Sequence, residues 1–290
     1  MKIQELLQNS KFTQKRSLEN LICHFVWISR EELWTKLDNE IDESVLNQIN
    51  QAYDDLIIKK KPMEYVLGYV EFAWNQFKID HRALIPRPET EYMIQSVNEY
   101  VQNWKFDLPL ILFDIGTWCW VLWLSVLLHN ENSFEKAYLS EYIDYTLSLA
   151  NENCEWYKDK LWKTQLKLVK ANLAWFIDDC IKNWEFKVDD HNFVLVANLP
   201  YIPEQTFNEN VGENVKNWEP KPAFVWWEDG LDYYREMFQQ LFDFKIKPTM
   251  FLEMMTWQVD VLRKEFGEKI DFEEVKTFHF NIRIVKAKIK

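Results

Sequence analysis

Glycine is what this chain is shortest of. Its 290 residues include 5 glycines, where average usage predicts about 20. A chain so poor in the residue that adopts left-handed backbone freely must use other residues in its tight turns and close backbone approaches. Cysteine is sparse as well: Cys23, Cys119, Cys154 and Cys180 show no CxxC spacing, and the 5 histidines do not cluster with them. This argues against a disulfide framework or a structural zinc and predicts no metal site and reduced thiols. No apolar run reaches the about 18 residues of a membrane span, and no basic-then-apolar leader is visible. The expectation is a soluble, cytoplasmic protein without a membrane partner. Basic residues are in deficit, 34 against 46 acidic ones, for a net charge of −12. A general phosphate-binding footprint is missing, so a protein or small-molecule substrate fits better than direct nucleic-acid binding.

What the chain has in excess is tryptophan, 15 residues. Glycine and tryptophan together number the about 20 expected of glycine alone. Apolar residues make up 48% of the sequence, ample for a sizeable core in one or two domains.

The chain is organised around residues 194 to 203, Val-Leu-Val-Ala-Asn-Leu-Pro-Tyr-Ile-Pro. An apolar run without alternation predicts a strand covered on both faces, as in a parallel α/β sheet, and the prolines end it near Asn198. Turn chemistry alone would also use Asn and Pro here. Yet Asn198-Leu199-Pro200-Tyr201 resembles the signature of methyltransferases that use S-adenosylmethionine (SAM) to methylate an amino group on a planar system. Two acceptors, the Asn198 carboxamide oxygen and the Leu199 carbonyl, would hold the two N–H hydrogens. They would aim the nitrogen lone pair and stabilise the positive charge developing on it. Tyr201 would offer a flat face.

The first 66 residues read as a small helical bundle, with Ile3, Leu6 and Leu7, then Leu18, Leu21, Ile22 and Phe25, then Leu46, Ile49, Tyr53, Ile57 and Ile58 at helical spacing. Ser29 to Glu32 forms a capping box. Residues 67 to 79 alternate around a turn, which predicts a β-hairpin, and Leu84-Ile-Pro-Arg-Pro-Glu-Thr-Glu91 is held extended by its prolines. From Leu110 the pattern alternates strand and helix, with strands near 110–114, 137–140, 167–170, 193–197 and 249–253 and a closing hairpin over 272–278 and 282–289. The fold expected is α/β, a Rossmann-like domain over 91–290, preceded by a helical domain (1–66) and a hairpin linker with its Pro-rich segment (67–90).

A nucleotide-type cofactor needs a glycine turn after the first sheet strand, because backbone must pass close to the ligand. Asp114-Ile115-Gly116-Thr117 supplies the first half, then Trp118, Cys119 and Trp120 follow, with indoles where small residues are needed. Glu141, at the end of the second strand, is placed to accept ribose hydroxyls, and Asn172, with Leu173, sits where an adenine contact would lie.

With these residues assembled, the chain resembles the bacterial release-factor glutamine methyltransferases, the HemK/PrmC family, over nearly its full length. The resemblance rests on Leu84 to Glu91, Asp114 to Thr117, Asn198 to Tyr201, Glu228 to Arg235 and the closing Asn281 to Val285. It implies methyl transfer from SAM to the side-chain amide nitrogen of the glutamine in a release factor's Gly-Gly-Gln motif. Residues 116 to 120, Glu141, Asn172 and Leu173 would line the SAM site, and Asn198 to Tyr201 would hold the glutamine. The chain departs from the family pattern at Leu199, where the family has Pro, and at Trp118, Trp120, Trp226 and Trp227, where it has Gly; Trp74 and Trp123 look similar. We read many of these tryptophans as glycine positions, the result expected if a nominal stop codon meaning glycine is decoded as tryptophan. Two other readings stay open: an adenine-N6 methyltransferase acting on RNA or DNA, which shares Asn-Leu-Pro-Tyr, and a non-catalytic binding protein if Trp118 and Trp120 fill the cofactor loop.

Overall fold

The computed structural model describes residues 1–116, 121–225, 228–275 and 282–290. Thr117, Trp118, Cys119, Trp120, Trp226, Trp227 and Asn281, all named above, and residues 276–278 of the expected closing hairpin lie outside the described residues. The chain divides into two units, Met1–Tyr69 with Glu213–Trp218, and Val70–Gly212 with Glu219–Lys290. The short helix Glu213–Trp218 therefore belongs with the N-terminal unit, although some 140 residues separate the two in the sequence.

In the first unit, helical spacing becomes a core. Ile3, Leu6, Leu18, Leu21, Ile22, Leu33, Ile49 and Tyr53 are buried on the facing sides of short helices, with Phe12 set edge-on against Tyr53 at 4.7 Å between ring centroids. Ile58, expected to continue that face, is exposed because the helix Glu43–Ile57 ends before it. The predicted box is present: the Ser29 hydroxyl accepts from the Glu32 amide at 3.1 Å, and the Glu32 carboxylate accepts from the Ser29 amide at 2.8 Å. From the late helix, the Trp218 indole N–H donates to the Lys59 carbonyl at 2.9 Å.

The hairpin consists of β1 (Tyr69–Phe72) and β2 (Asn75–Lys78). Asn153 bonds both backbone groups of Lys78, and the Tyr157 hydroxyl donates to the Gln76 carbonyl at 2.6 Å, so β2 is fixed to the helix Asp144–Tyr157. The large sheet contains β3 (Leu110–Ile115), β4 (Phe134–Glu141), β5 (Gln165–Lys170), β6 (Asn192–Ala197), β7 (Thr249–Met255), β8 (Ile270–Val275) and β9 (Ile282–Ile289). Their spatial order is β5-β4-β3-β6-β7-β9-β8. The first five are parallel, and β9 runs antiparallel to both of its neighbours, β7 and β8. β3 and β6 lie at the centre and are buried on both faces, which is why Leu110–Phe113 and Phe193–Ala197 read as unbroken apolar runs. No helix among the described residues is long and apolar enough to cross a membrane.

The missing glycines leave a mark on the backbone. Trp27, Trp74 and Trp184 have φ of 57°, 61° and 58°, the left-handed region that favours glycine. Their side chains are 89%, 92% and 77% exposed, so little burial of the indoles offsets that strain, beyond ring contacts of Trp27 with His24 and of Trp74 with His129. Trp27 is a helix C-cap, Trp184 follows another helix end, and Trp74 turns the hairpin, all places where glycine is the usual residue. Trp123 is different: it is fully buried in the helix Val121–His129, and its indole N–H has no acceptor among the described residues.

Candidate active site

Strand order decides where a crevice forms. From β3 the chain steps outward through β4 and β5, then returns to the other side of β3 as β6 and continues to β7. Loops leaving the carboxyl ends of β3 and β6 therefore diverge, and such a switch point is where α/β sheets take ligands. Asp114 pairs with Val196, so Gly116 and Asn198, each two residues further on, leave adjacent strand tips. Gly116 turns with φ of 68°, and its N–H donates to the Ser140 carbonyl at 3.0 Å. Ile115 pairs with Ser140, which brings Glu141 to the same end of the sheet.

Glu141 is 1% exposed. One carboxylate oxygen accepts the Ile143 amide at 2.8 Å, while Oε2 is buried and has no hydrogen-bond partner among the described residues. Burial pushes this carboxyl up to about 7 despite the backbone donors of Ile143 and Tyr142. An acceptor without donors at the tip of the second strand suits the paired hydroxyls of a ribose, so the residues present fit SAM at this point. Asn172 is exposed beyond β5, and its amide donates to Glu236 at 3.0 Å. Leu173 is buried with φ of 51°, and the Ala174 N–H after it donates to Gln240 at 2.8 Å. Asn172 is thus tied to the helix Asp232–Asp243. On the same helix burial first, then nearby Glu236 and Glu141, push the Tyr233 hydroxyl up to about 12.

The segment Asn198-Leu199-Pro200-Tyr201 is pinned from below. The Leu199 N–H donates to the Tyr234 hydroxyl at 3.3 Å, and that hydroxyl donates to the Glu253 carbonyl at 2.5 Å. The Tyr201 ring is buried, and its hydroxyl donates to Glu253 Oε1 at 2.9 Å. Asn198 is partly exposed, and the β6–β7 register, with Ala197 beside Leu252, sets it next to Glu253 on the neighbouring strand. Gln258 donates to the carbonyls of Tyr201 at 2.8 Å and Asp229 at 2.7 Å, joining the loop to the Glu228–Arg235 motif. Gly230 permits that approach: a Cβ there would lie 2.2 Å from the Tyr201 carbonyl oxygen. Arg235 then holds Asp229 at 2.6 Å, and this hydrogen bond keeps the Asp229 carboxyl below its usual range.

The Pro-rich segment is a clasp. Arg87 pairs with the buried Glu219 at 2.7 Å, the Ile85 N–H donates to the same carboxylate at 3.0 Å, and the Ala73 N–H donates to Glu91 at 3.1 Å. The Thr90 hydroxyl donates to Glu253 Oε2 at 2.8 Å. Sequence reasoning missed Glu253, Tyr234 and Gln258 as parts of the site. For Glu253 a signal existed, an acidic residue closing the apolar run Thr249-Met-Phe-Leu.

No family model matches the chain. It is 30% identical over 226 residues to the release factor glutamine methyltransferase of Bacillus cereus, spanning 77% of this chain and 73% of that protein. The chain belongs to the release factor glutamine methyltransferase family. The protein of that name from Francisella tularensis is 26% identical over 293 residues, covering 98% of this chain and 95% of its own. Among solved structures, the N-terminal domain of human METTL16 in complex with SAH superposes with a TM-score of 0.51 at 13% identity, over 97% of each chain. That likeness supports a Rossmann-like methyltransferase fold for this member of the family.

Proposed function

We propose that this chain methylates the side-chain amide nitrogen of the glutamine in the Gly-Gly-Gln motif of a peptide chain release factor, with SAM as methyl donor. Membership of the family makes it a methyltransferase. The observation that carries the assignment to a site is the meeting of the Gly116 turn and Asn198 at the switch point, beside a buried Glu141 oxygen without a donor among the described residues. Bound SAM supplies a methyl group on a positively charged sulfur. Glu141 would hold its ribose, Gly116 would let the backbone pass close to it, and Asn172 and Leu173 would lie along the adenine side.

The Asn198 side-chain oxygen and the Leu199 carbonyl would accept the two N–H hydrogens of the substrate glutamine. That grip turns the nitrogen lone pair toward the donor and favours the charge that grows on nitrogen as its bond to the methyl carbon forms. The carbon–sulfur bond electrons return to sulfur, and one N–H proton leaves to solvent. Pro200 and Tyr201 would keep the grip rigid. The helical unit would recognise the release factor.

The test is methyl incorporation from labelled SAM into a release factor, an RNA and a DNA in parallel, with the modified residue read by peptide mass spectrometry. Methyl on the Gly-Gly-Gln glutamine is expected; label in adenine instead would overturn the reading.

A further inference from the structure

We propose that Glu253 is the positioning residue that aims Asn198: its carboxylate accepts an N–H of the Asn198 side chain, and this turns the Asn198 carbonyl oxygen into the crevice. The inference rests on the function proposed above. A carboxamide has two ends of nearly the same shape, one donor and one acceptor, and only its partners decide which faces where. An ionised carboxylate accepts and never donates, so the end of Asn198 against Glu253 must be the NH2 group. The oxygen is then left for the substrate.

The geometry makes this contact a product of the sheet. Ala197 pairs with Leu252 in the parallel register of β6 and β7, so Asn198 and Glu253 are the next residues along two neighbouring strands. Glu253 itself is immobilised. Thr90 donates to Oε2 at 2.8 Å, Tyr201 donates to Oε1 at 2.9 Å, and the Tyr234 hydroxyl holds the Glu253 main-chain carbonyl at 2.5 Å. The residue is 2% exposed, and two side-chain hydroxyl donors replace part of the water its charge has lost. A negative charge hydrogen-bonded to the NH2 end also polarises the amide and strengthens its oxygen as an acceptor. Thr90, remote in sequence, holds the far oxygen of the carboxylate that aims Asn198.

Protonation should release the device. Among the described residues the titratable groups around Glu253 are Glu89, Tyr201 and Tyr234. Burial raises the Glu253 carboxyl above the usual range, the donors Thr90, Tyr201 and Asn198 pull it back, and Glu89 pushes it further up. Once protonated, the carboxyl becomes a donor and no longer discriminates between the two ends of Asn198.

The experiment compares Glu253→Gln, Thr90→Val, Asn198→Ala and the Glu253→Gln/Asn198→Ala double variant in the full chain, with kcat, SAM affinity and melting temperature for each. Glu253→Gln is expected to lower kcat by about 100-fold, the scale of one lost transition-state hydrogen bond, with SAM affinity unchanged. Thr90→Val, which keeps the carboxylate, is expected to lower kcat by less. In the Asn198→Ala background the Glu253→Gln change should cost less than about twofold, because a residue acting through another has nothing left to act on. Equal losses in both backgrounds, or wild-type turnover in Glu253→Gln, would overturn the proposal. A second readout needs no turnover: the Asn198 side-chain NH2 resonance in ¹⁵N-labelled protein should move on Glu253→Gln and titrate with pH in the unaltered chain only. An unmoved resonance also overturns it. Failure of the unaltered chain to methylate a release factor counts against the function proposed above, and the resonance then decides this proposal alone.

Discussion

Replacing Glu141 by Gln should change the pH dependence of stability and of SAM binding together. Burial lifts this carboxyl from 4.5 to about 7 in the folded chain. At about 1.4 kcal/mol per pH unit, the gap corresponds to about 3 kcal/mol. The sign follows from proton uptake. Between these two values the folded state holds a proton that the unfolded state has lost, so stability falls as pH rises. The favourable contribution is complete below about pH 4.5 and gone above about pH 7. Glu253 shifts in the same direction, so the wild-type curve alone does not isolate Glu141, whereas the difference between wild type and Glu141→Gln does. Urea denaturation at about pH 5 and about pH 8 should show the wild type losing about 2–3 kcal/mol more than the variant across that interval. SAM should reverse the preference, because ribose hydroxyls donating to Oε2 favour the ionised form. Wild-type affinity should rise with pH up to about 7. The variant should bind about 10- to 100-fold more weakly and without that slope, the expected loss for hydrogen bonds to a charged acceptor. Identical stability differences in the two proteins, or undiminished SAM affinity in the variant, would refute the reasoning.

Asn198→Ala should lower kcat by about 10²- to 10³-fold while SAM affinity by calorimetry stays within about threefold, since the residue acts on the substrate amide; near-normal turnover would remove it from that role. Gly230→Ala should destabilise the chain by about 2–4 kcal/mol in denaturant titrations, because the new methyl would meet the Tyr201 carbonyl at 2.2 Å and displace the loop that carries Asn198; unchanged stability would mean that the loop yields at no cost. Trp27→Gly and Trp184→Gly should each stabilise by about 0.5–1 kcal/mol, relief of left-handed strain less glycine's own entropy. A lowered melting temperature would show that the exposed indoles contribute packing after all. Intact mass of the natural product tests the decoding idea directly, and a mass matching 15 tryptophans would end it.

How much of this was legible in advance depended on whether the physics was local. Val194–Ala197 announced a central strand because a segment buried on both faces has no polar side to alternate, and Ser29–Glu32 announced a helix start because a capping box closes over four residues. Asp114-Ile-Gly116 and Asn198-Leu-Pro-Tyr201 were likewise readable as strand ends, and the β3–β6 pairing sets them on adjacent strand tips with Glu141 at the tip of β4. Thr117 to Trp120, expected to line the cofactor site, lie outside the described residues.

Long-range pairing was silent in the chain. Thr90 and Glu253 are separated by 163 residues, and Tyr201 and Glu253 by 52, so no periodicity links them. Only the parallel register of β6 and β7 sets Glu253 beside Asn198, and only the fold shows that Pro-Arg-Pro-Glu-Thr is a clasp. The placement of Glu213–Trp218 with the helical unit was hidden for the same reason. Sequence alone determined which residues have the chemistry to grip an amide. Tertiary structure decided which buried charge stands beside them, because strand pairing and hydrogen bonds act over a few ångströms of space, about 3 Å for a hydrogen bond, however far apart their partners lie along the chain.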